Sequence, residues 1–206
     1  MSLLFFNSKN GNFLAYEISE GGSDWRTIRI KDLRTGQTLD DEIRWVKFNN
    51  ISWADDGFFY SRYPEPNEND ASAGKSEFHQ VWFHRLGSAQ EDDELIFADR
   101  SHPQRNFYTY TTSDERFLVL GVTESTSGNA LYFKDLNSDE NFIPIDEDFD
   151  NDYLVVDSAG DKLLVLTNAG APNQRLLQIS TRYPQSEYWE EIIPATEDVL
   201  QNVQIF

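Results

Sequence analysis

One module is written four times along this chain, and that repeat limits the fold more than any other feature. A polar turn followed by a strand-forming run appears as Lys9-Asn10-Gly11-Asn12 then Phe13-Leu14-Ala15-Tyr16, and again as Asp55-Asp56-Gly57 then Phe58-Phe59-Tyr60. It returns as Ser113-Asp114-Glu115-Arg116 then Phe117-Leu118-Val119-Leu120, and as Ala159-Gly160-Asp161-Lys162 then Leu163-Leu164-Val165-Leu166. A second strand follows each copy: Arg29-Ile30-Lys31-Asp32-Leu33, Val81-Trp82-Phe83-His84-Arg85-Leu86, Ala130-Leu131-Tyr132-Phe133-Lys134-Asp135-Leu136 and Arg175-Leu176-Leu177-Gln178-Ile179. A polar turn and an edge-like strand come next. A period of about 40–50 residues holding four short antiparallel strands is the signature of a propeller blade. No such module buries its apolar face alone, so the modules are expected to stack face to face. The predicted fold class is therefore all-β, a partial β-propeller of four-stranded antiparallel blades near residues 1–47, 48–98, 99–147 and 148–194, with 195–206 starting another.

Within the module the local chemistry is consistent. Thr27-Ile28-Arg29-Ile30-Lys31 alternates, which points Ile28 and Ile30 to a core and Arg29 and Lys31 to water. Asn-Gly and Asp-Gly are read as tight hairpin turns because glycine accepts positive φ. The second copy is stretched by YPEPNENDASAGKSEF, from Tyr63 to Phe78. It has little to bury and is predicted to be a flexible surface loop between two strands. The apolar start Met1-Ser2-Leu3-Leu4-Phe5-Phe6 is too short for a signal peptide or a membrane span and leaves the compartment open. Val203-Gln204-Ile205-Phe206 reads as a strand that stops mid-element, so the sequence is expected to continue.

Composition removes several function classes. Fifteen Phe, nine Tyr and five Trp demand a core and exclude disorder. Asp and Glu number 36 against 17 Lys and Arg, a formal net charge of −19. Such a chain repels phosphate backbones and anionic lipid, so neither nucleic acid nor a membrane is an expected partner. There is no cysteine, hence no disulfide, thiolate metal site or cysteine nucleophile. His79 and His84, an odd number of residues apart, would face opposite sides of a strand, and His102 precedes Pro103 in a loop, so no metal or other cofactor is expected. The nucleophile turn G-x-S-x-G is missing: Gly21-Gly22-Ser23-Asp24-Trp25 ends in Trp, and Ser127-Gly128 lacks the preceding glycine. The runs Glu91-Asp92-Asp93-Glu94 and Asp146-Glu147-Asp148-Phe149-Asp150 read as solvated loops, not as the separated carboxylate pair of a glycosidase.

Several stretches, taken in order, resemble one known family. They are Ser19-Glu20-Gly21-Gly22-Ser23-Asp24-Trp25, Val46-Lys47-Phe48-Asn49-Asn50-Ile51-Ser52-Trp53 and Asp56-Gly57-Phe58-Phe59-Tyr60-Ser61-Arg62-Tyr63-Pro64. His79-Gln80-Val81-Trp82-Phe83-His84-Arg85-Leu86-Gly87, Ser127-Gly128-Asn129-Ala130-Leu131-Tyr132, Asp148-Phe149-Asp150-Asn151-Asp152-Tyr153 and Ala171-Pro172-Asn173-Gln174-Arg175-Leu176 continue the match. Together they resemble the propeller of prolyl oligopeptidases (prolyl endopeptidases), bacterial members above all. The resemblance implies a seven-bladed propeller joined to an α/β-hydrolase domain that carries the catalytic Ser, Asp and His and cleaves short peptides after proline. This chain would hold the central blades and none of the catalytic residues. Its implied partners are the missing hydrolase domain, the remaining blades and short proline-containing peptides, and exposed blade faces could self-associate.

The resemblance also names candidate site residues. Phe48 matches a propeller residue that faces the substrate pocket, while its alternation with Val46 equally suits a blade-core aromatic. The stretch holding Pro64, Asn67, Asp70, Gly74, Lys75 and His79 matches a loop that lies toward the hydrolase and gates access. Three further pocket positions depart from better-known members: Thr123 stands where they carry a substrate-binding Arg, Thr126 at a nearby Cys position and Asn106 at a Met position. Losing the forked guanidinium removes that contact with substrate. The expected function is a non-catalytic substrate-gating propeller of a prolyl oligopeptidase. The alternatives are a free-standing propeller that binds proteins and a glycosidase propeller, which would need a carboxylate pair across one channel.

Overall fold

A computed structural model describes residues 5–8, 10–19, 21–65 and 76–205. It contains sixteen strands in four sheets, each an antiparallel meander whose neighbours in sequence are neighbours in space. The first sheet is β1 (Phe5–Asn7), β2 (Phe13–Ser19), β3 (Arg26–Asp32) and β4 (Thr38–Val46). The second is β5 (Ser52–Ala54), β6 (Gly57–Arg62), β7 (Gln80–Arg85) and β8 (Glu94–Ala98). The third is β9 (Asn106–Thr111), β10 (Phe117–Thr123), β11 (Ala130–Asp135) and β12 (Ile143–Asp146). The fourth is β13 (Tyr153–Ala159), β14 (Lys162–Thr167), β15 (Arg175–Ser180) and β16 (Glu190–Ile193). Helix among the described residues is limited to two single 3₁₀ turns, Gln90–Asp92 and Ser186–Tyr188.

The strands follow from the sequence pattern. In β3, Ile28 and Ile30 are fully buried, while Arg29 points outward and pairs with Glu42. Strands covered on both faces read as unbroken apolar runs, and β6 and β10 are buried along almost their whole length. The edge strand β16 is exposed at all four positions.

The chain divides into two compact units, Met1–Tyr110 and Thr111–Phe206. In the first, Ala15, Ile28, Ile30, Ile43 and Val46 pack with Trp53, Phe58 and Tyr60, so the first two sheets share one core. Fully burying an aliphatic or aromatic side chain contributes about 1.5–3 kcal/mol. In the second unit, the Asn129 side chain accepts from the Tyr153 N–H (2.8 Å) and donates to its carbonyl (3.2 Å), tying the start of β11 to the start of β13.

The turn between β5 and β6 departs from expectation in one respect. Positive φ falls on Asp55 (47°), not on Gly57. Gly57 is required for space instead: a Cβ there would stand 2.1 Å from the His84 carbonyl oxygen.

Candidate functional site: a cleft beside Phe48

β4 ends in a kink rather than running on. Trp45 (φ 63°) and Phe48 (φ 52°) both adopt the left-handed region, which costs an L-residue roughly 1–2 kcal/mol. Such strain persists only where surrounding bonds over-determine it. On one side of Phe48, the Lys47 carbonyl receives a hydrogen bond from His79 Nε2 (3.2 Å). On the other, Asn49 is held at both ends of its amide: Nδ2 donates to Glu17 Oε1 (2.8 Å) and Oδ1 accepts from the Ser61 N–H (2.6 Å). The next residue, Asn50, donates to the Thr109 carbonyl at 3.0 Å. Glu17 is almost completely buried, and its second oxygen takes Arg26 Nη1 at 2.6 Å.

These bonds leave the Phe48 ring 62% exposed. The blade-core alternative for Phe48 therefore fails: the strand ends at Val46, and the left-handed turn swings the following side chain out of the pleat. The ring sits at the rim of an open cleft of about 540 Å³, lined by Glu17, Asp24, Arg26, Lys47 and the Gly22–Ser23 turn. Lys47 Nζ lies 5.1 Å from the Phe48 ring centre and 5.8 Å from that of Trp25, and 3.4 Å from Asp24 Oδ2. Trp25 stands edge-on to Tyr63 at 5.8 Å, and the Tyr63 hydroxyl donates to Asn106 Oδ1 at 2.5 Å. Burial pushes the Tyr63 phenol up to about 12, so it stays a donor. Phe48 and Asn106 thus belong to one connected set, although Asn106 stands behind the cleft rather than in its wall.

The other sequence-predicted residues fall elsewhere. Thr123 ends β10 half-buried, and Thr126 is exposed in the bend that follows, both in the second unit. Pro64 is exposed. Asn67, Asp70, Gly74 and Lys75 lie outside the described residues. His79, expected at the end of a gating loop, is fully buried. Its Nδ1 accepts from the Phe107 N–H at 2.9 Å. Burial pulls its pKa down to about 4, against the opposing pull of the Lys47 carbonyl, so the ring is neutral.

A second polar cluster lies in the same unit and has no counterpart in the sequence reading. His84 is fully buried between two carboxylates, Nδ1 to Asp93 Oδ1 at 2.7 Å and Nε2 to Asp41 Oδ1 at 3.0 Å. Tyr60 donates to the other Asp93 oxygen (2.6 Å), and the Gly87 N–H donates to Asp41 (2.7 Å). Burial alone would lower the His84 pKa, but the Asp41 and Asp93 bonds outweigh it and raise it to about 9. The imidazolium therefore links β4 of the first sheet to β7 and to the residue just before β8 in the second. Asp93 comes from an acid run expected to be solvated, yet its side chain is fully buried. One signal for this cluster was available: Asp41 shares its parity in β4 with Leu39 and Ile43, which marks it as inward.

The chemistry on offer at the cleft is recognition. An apolar ring, an ammonium and a guanidinium line it, while Ser19 Oγ is committed to the Ser23 carbonyl at 2.5 Å. His79 and His84 have both ring nitrogens engaged, and His102 binds Asp99 at 2.7 Å. Among the described residues no group of three or more His, Asp or Glu is arranged to hold a metal ion.

Comparison with known proteins agrees with this architecture. The family model described as "Prolyl oligopeptidase, N-terminal beta-propeller domain" matches residues 5–206. A prolyl endopeptidase from Elizabethkingia meningoseptica is 43% identical over 195 residues, covering 94% of this chain and 28% of that protein. Prolyl oligopeptidase A from Amanita bisporigera is 31% identical, covering 95% and 29%. A solved structure from a study of two prolyl endopeptidases and their inter-domain dynamics aligns with a TM-score of 0.87 at 29% identity, over 99% of this chain and 29% of that one. Prolyl oligopeptidase B from Galerina marginata, solved bound to a 35mer hydrolysis and macrocyclization substrate, aligns with a TM-score of 0.85 at 26% identity, over 96% and 30%. The chain thus spans under a third of the length of these relatives. With four meander sheets, a family model matched from the first strand onward and relatives above 40% identity, the chain belongs to the prolyl oligopeptidase N-terminal β-propeller family.

Proposed function

We propose that this chain shields and gates the active site of a serine-type prolyl endopeptidase and takes no chemical part in the cleavage. A hydrolase domain outside these residues supplies the nucleophile. The propeller acts by exclusion: rigid blades admit an extended peptide and turn away a folded protein. Keeping water from the reacting groups also strengthens the electrostatics there. The connection from Pro64 to His79 is assigned to the access side of this shield on the strength of the resemblance. Short proline-containing peptides are the proposed substrates, and a Galerina relative that aligns over most of this chain was solved bound to a 35mer hydrolysis and macrocyclization substrate.

The observation that carries the reading is Phe48. A large apolar ring left mostly in water, on a strained backbone pinned from both sides, gains the fold little beyond its contact with the Lys47 ammonium. Its arrangement suits a wall waiting for an apolar group of a peptide. Two measurements test the proposal. This chain alone should show no cleavage after proline, while the protein that carries it does. Phe48→Ala in that protein should raise KM for short peptides about tenfold, the loss of roughly 1.4 kcal/mol of contact, with kcat little changed. Peptidase activity in the isolated chain, or an unchanged KM in Phe48→Ala, would overturn it.

A further inference from the structure

On its amino-terminal side the kink that presents Phe48 is anchored at Arg44 by the Gln90 side chain (2.9 and 3.1 Å), at the Trp45 carbonyl by the Tyr63 N–H (3.0 Å) and, at the peptide directly before Phe48, by His79. A backbone N–H can only donate, so the Phe107 N–H at 2.9 Å identifies Nδ1 as the unprotonated nitrogen. Nε2 therefore carries the proton and donates it to the Lys47 carbonyl at 3.2 Å. The neutral ring relays one hydrogen bond in from β9 and one out to the residue before Phe48. Its orientation is fixed by ring packing, with the Tyr63 ring tilted against it at 4.5 Å and the Phe107 ring stacked at 6.1 Å. The ring is fully buried, so no water competes for either nitrogen.

We propose that His79 is a positioning residue for the cleft: through Nε2 it fixes the Lys47–Phe48 peptide in the left-handed turn that aims the Phe48 ring outward. The proposal rests on reading that cleft as a peptide site, but its central claim is a geometric one. A core histidine that only filled space would be replaceable by any side chain of its volume. A positioning histidine is replaceable only by one that still donates to the Lys47 carbonyl. Asn49 secures the other side of the turn through Glu17 and Ser61, and Gln90 and Tyr63 keep hold of Arg44 and Trp45, so loss of His79 frees the Lys47–Phe48 peptide and leaves the fold of the sheet in place.

The test places 4-fluorophenylalanine at position 48 of the protein that carries this chain, and compares His79→Gln, His79→Asn and His79→Leu. The Gln amide reaches the Nε2 position and can donate to Lys47. The Asn amide reaches only the Nδ1 position, and Leu fills the volume with no polar atom. His79→Gln should keep the parental fluorine shift and keep peptide KM within about twofold. His79→Asn and His79→Leu should shift and broaden the fluorine signal and raise KM about tenfold at unchanged kcat, as expected for one lost hydrogen bond. A second probe at Phe133, in the other unit, should be silent throughout. Should His79→Leu not fold, the contrast of Asn with Gln carries the same test. Identical fluorine spectra in all variants, or a disturbance in His79→Gln as large as in the others, sinks the proposal. If Phe48→Ala leaves KM unchanged, the peptide-site reading falls, and the fluorine comparison still decides the positioning role.

Discussion

At the scale of single residues, two buried histidines a few positions apart do opposite things. His84 is charged because two carboxylates flank it; His79 is neutral because a backbone N–H and a carbonyl flank it. Their linkage to stability has opposite signs. The His84 pKa is raised from 6.5 to about 9. The folded state there holds a proton that the unfolded state releases, so its contribution is complete below pH 6.5 and fades as pH climbs through 9. The His79 pKa is lowered from 6.5 to about 4. Here the unfolded state takes up the proton first, so the contribution is complete above pH 6.5 and fades as pH falls toward 4. Urea unfolding from pH 4 to 10 should show stability falling on both sides. His84→Gln should flatten the alkaline limb and His79→Gln the acid limb. Removing the His84 imidazole strands two buried carboxylates, which costs about 3–5 kcal/mol when one partner of a buried pair is lost. His84→Ala should lose stability on that order, and a loss under about 1 kcal/mol would show that the cluster is not a staple.

At the scale of elements, the sheets are positioned by short polar bridges at strand ends as much as by their cores. Gly128 shows how close the packing is. Its φ is +73°, and a Cβ there would lie 1.8 Å from the Phe149 carbonyl oxygen. The Gly128 N–H donates to Asp152 at 2.9 Å, in the same joint as the Asn129–Tyr153 bonds. Both backbone strain and overlap oppose a side chain. Gly128→Ala should destabilise the protein by about 2 kcal/mol or more, read from the urea midpoint at constant slope. Gly160→Ala is the control: its φ is +63° but nothing lies within 4 Å, so it should lose only about 1 kcal/mol.

At the scale of the whole molecule, charge and exposed apolar surface set behaviour. A net charge of −19 on 206 residues makes the folded chain repel itself. Raising NaCl from about 20 mM to about 500 mM shortens the Debye length several-fold and should raise the melting temperature by a few degrees. A fall would mean that surface ion pairs outweigh the repulsion. The edge strand β16 carries Ile192 and Ile193, 48% and 38% exposed, and Val199 beyond it is also exposed. An open edge with apolar side chains is a pairing surface. Sedimentation of the isolated chain should show concentration-dependent association that Ile192→Lys weakens.

The strands, their antiparallel order and the family were legible in the sequence. Alternation such as Ile28/Arg29/Ile30, unbroken runs such as Phe117–Leu120 and turn residues between them act over a few neighbours, so the linear order carries that information whole. The roles of the polar residues were not legible in the same way. Asp93 sits in a run of acids that looks solvated, His79 at the end of a polar stretch that looks free, and Phe48 two residues after Val46 in what looks like a strand. Each was decided by a partner outside its own stretch of sequence: His84 for Asp41 and Asp93, Lys47 and Phe107 for His79, Glu17 and Ser61 for the turn that exposes Phe48. Whether a polar group is buried depends on what faces it across the packed strands, and only the tertiary structure supplies that.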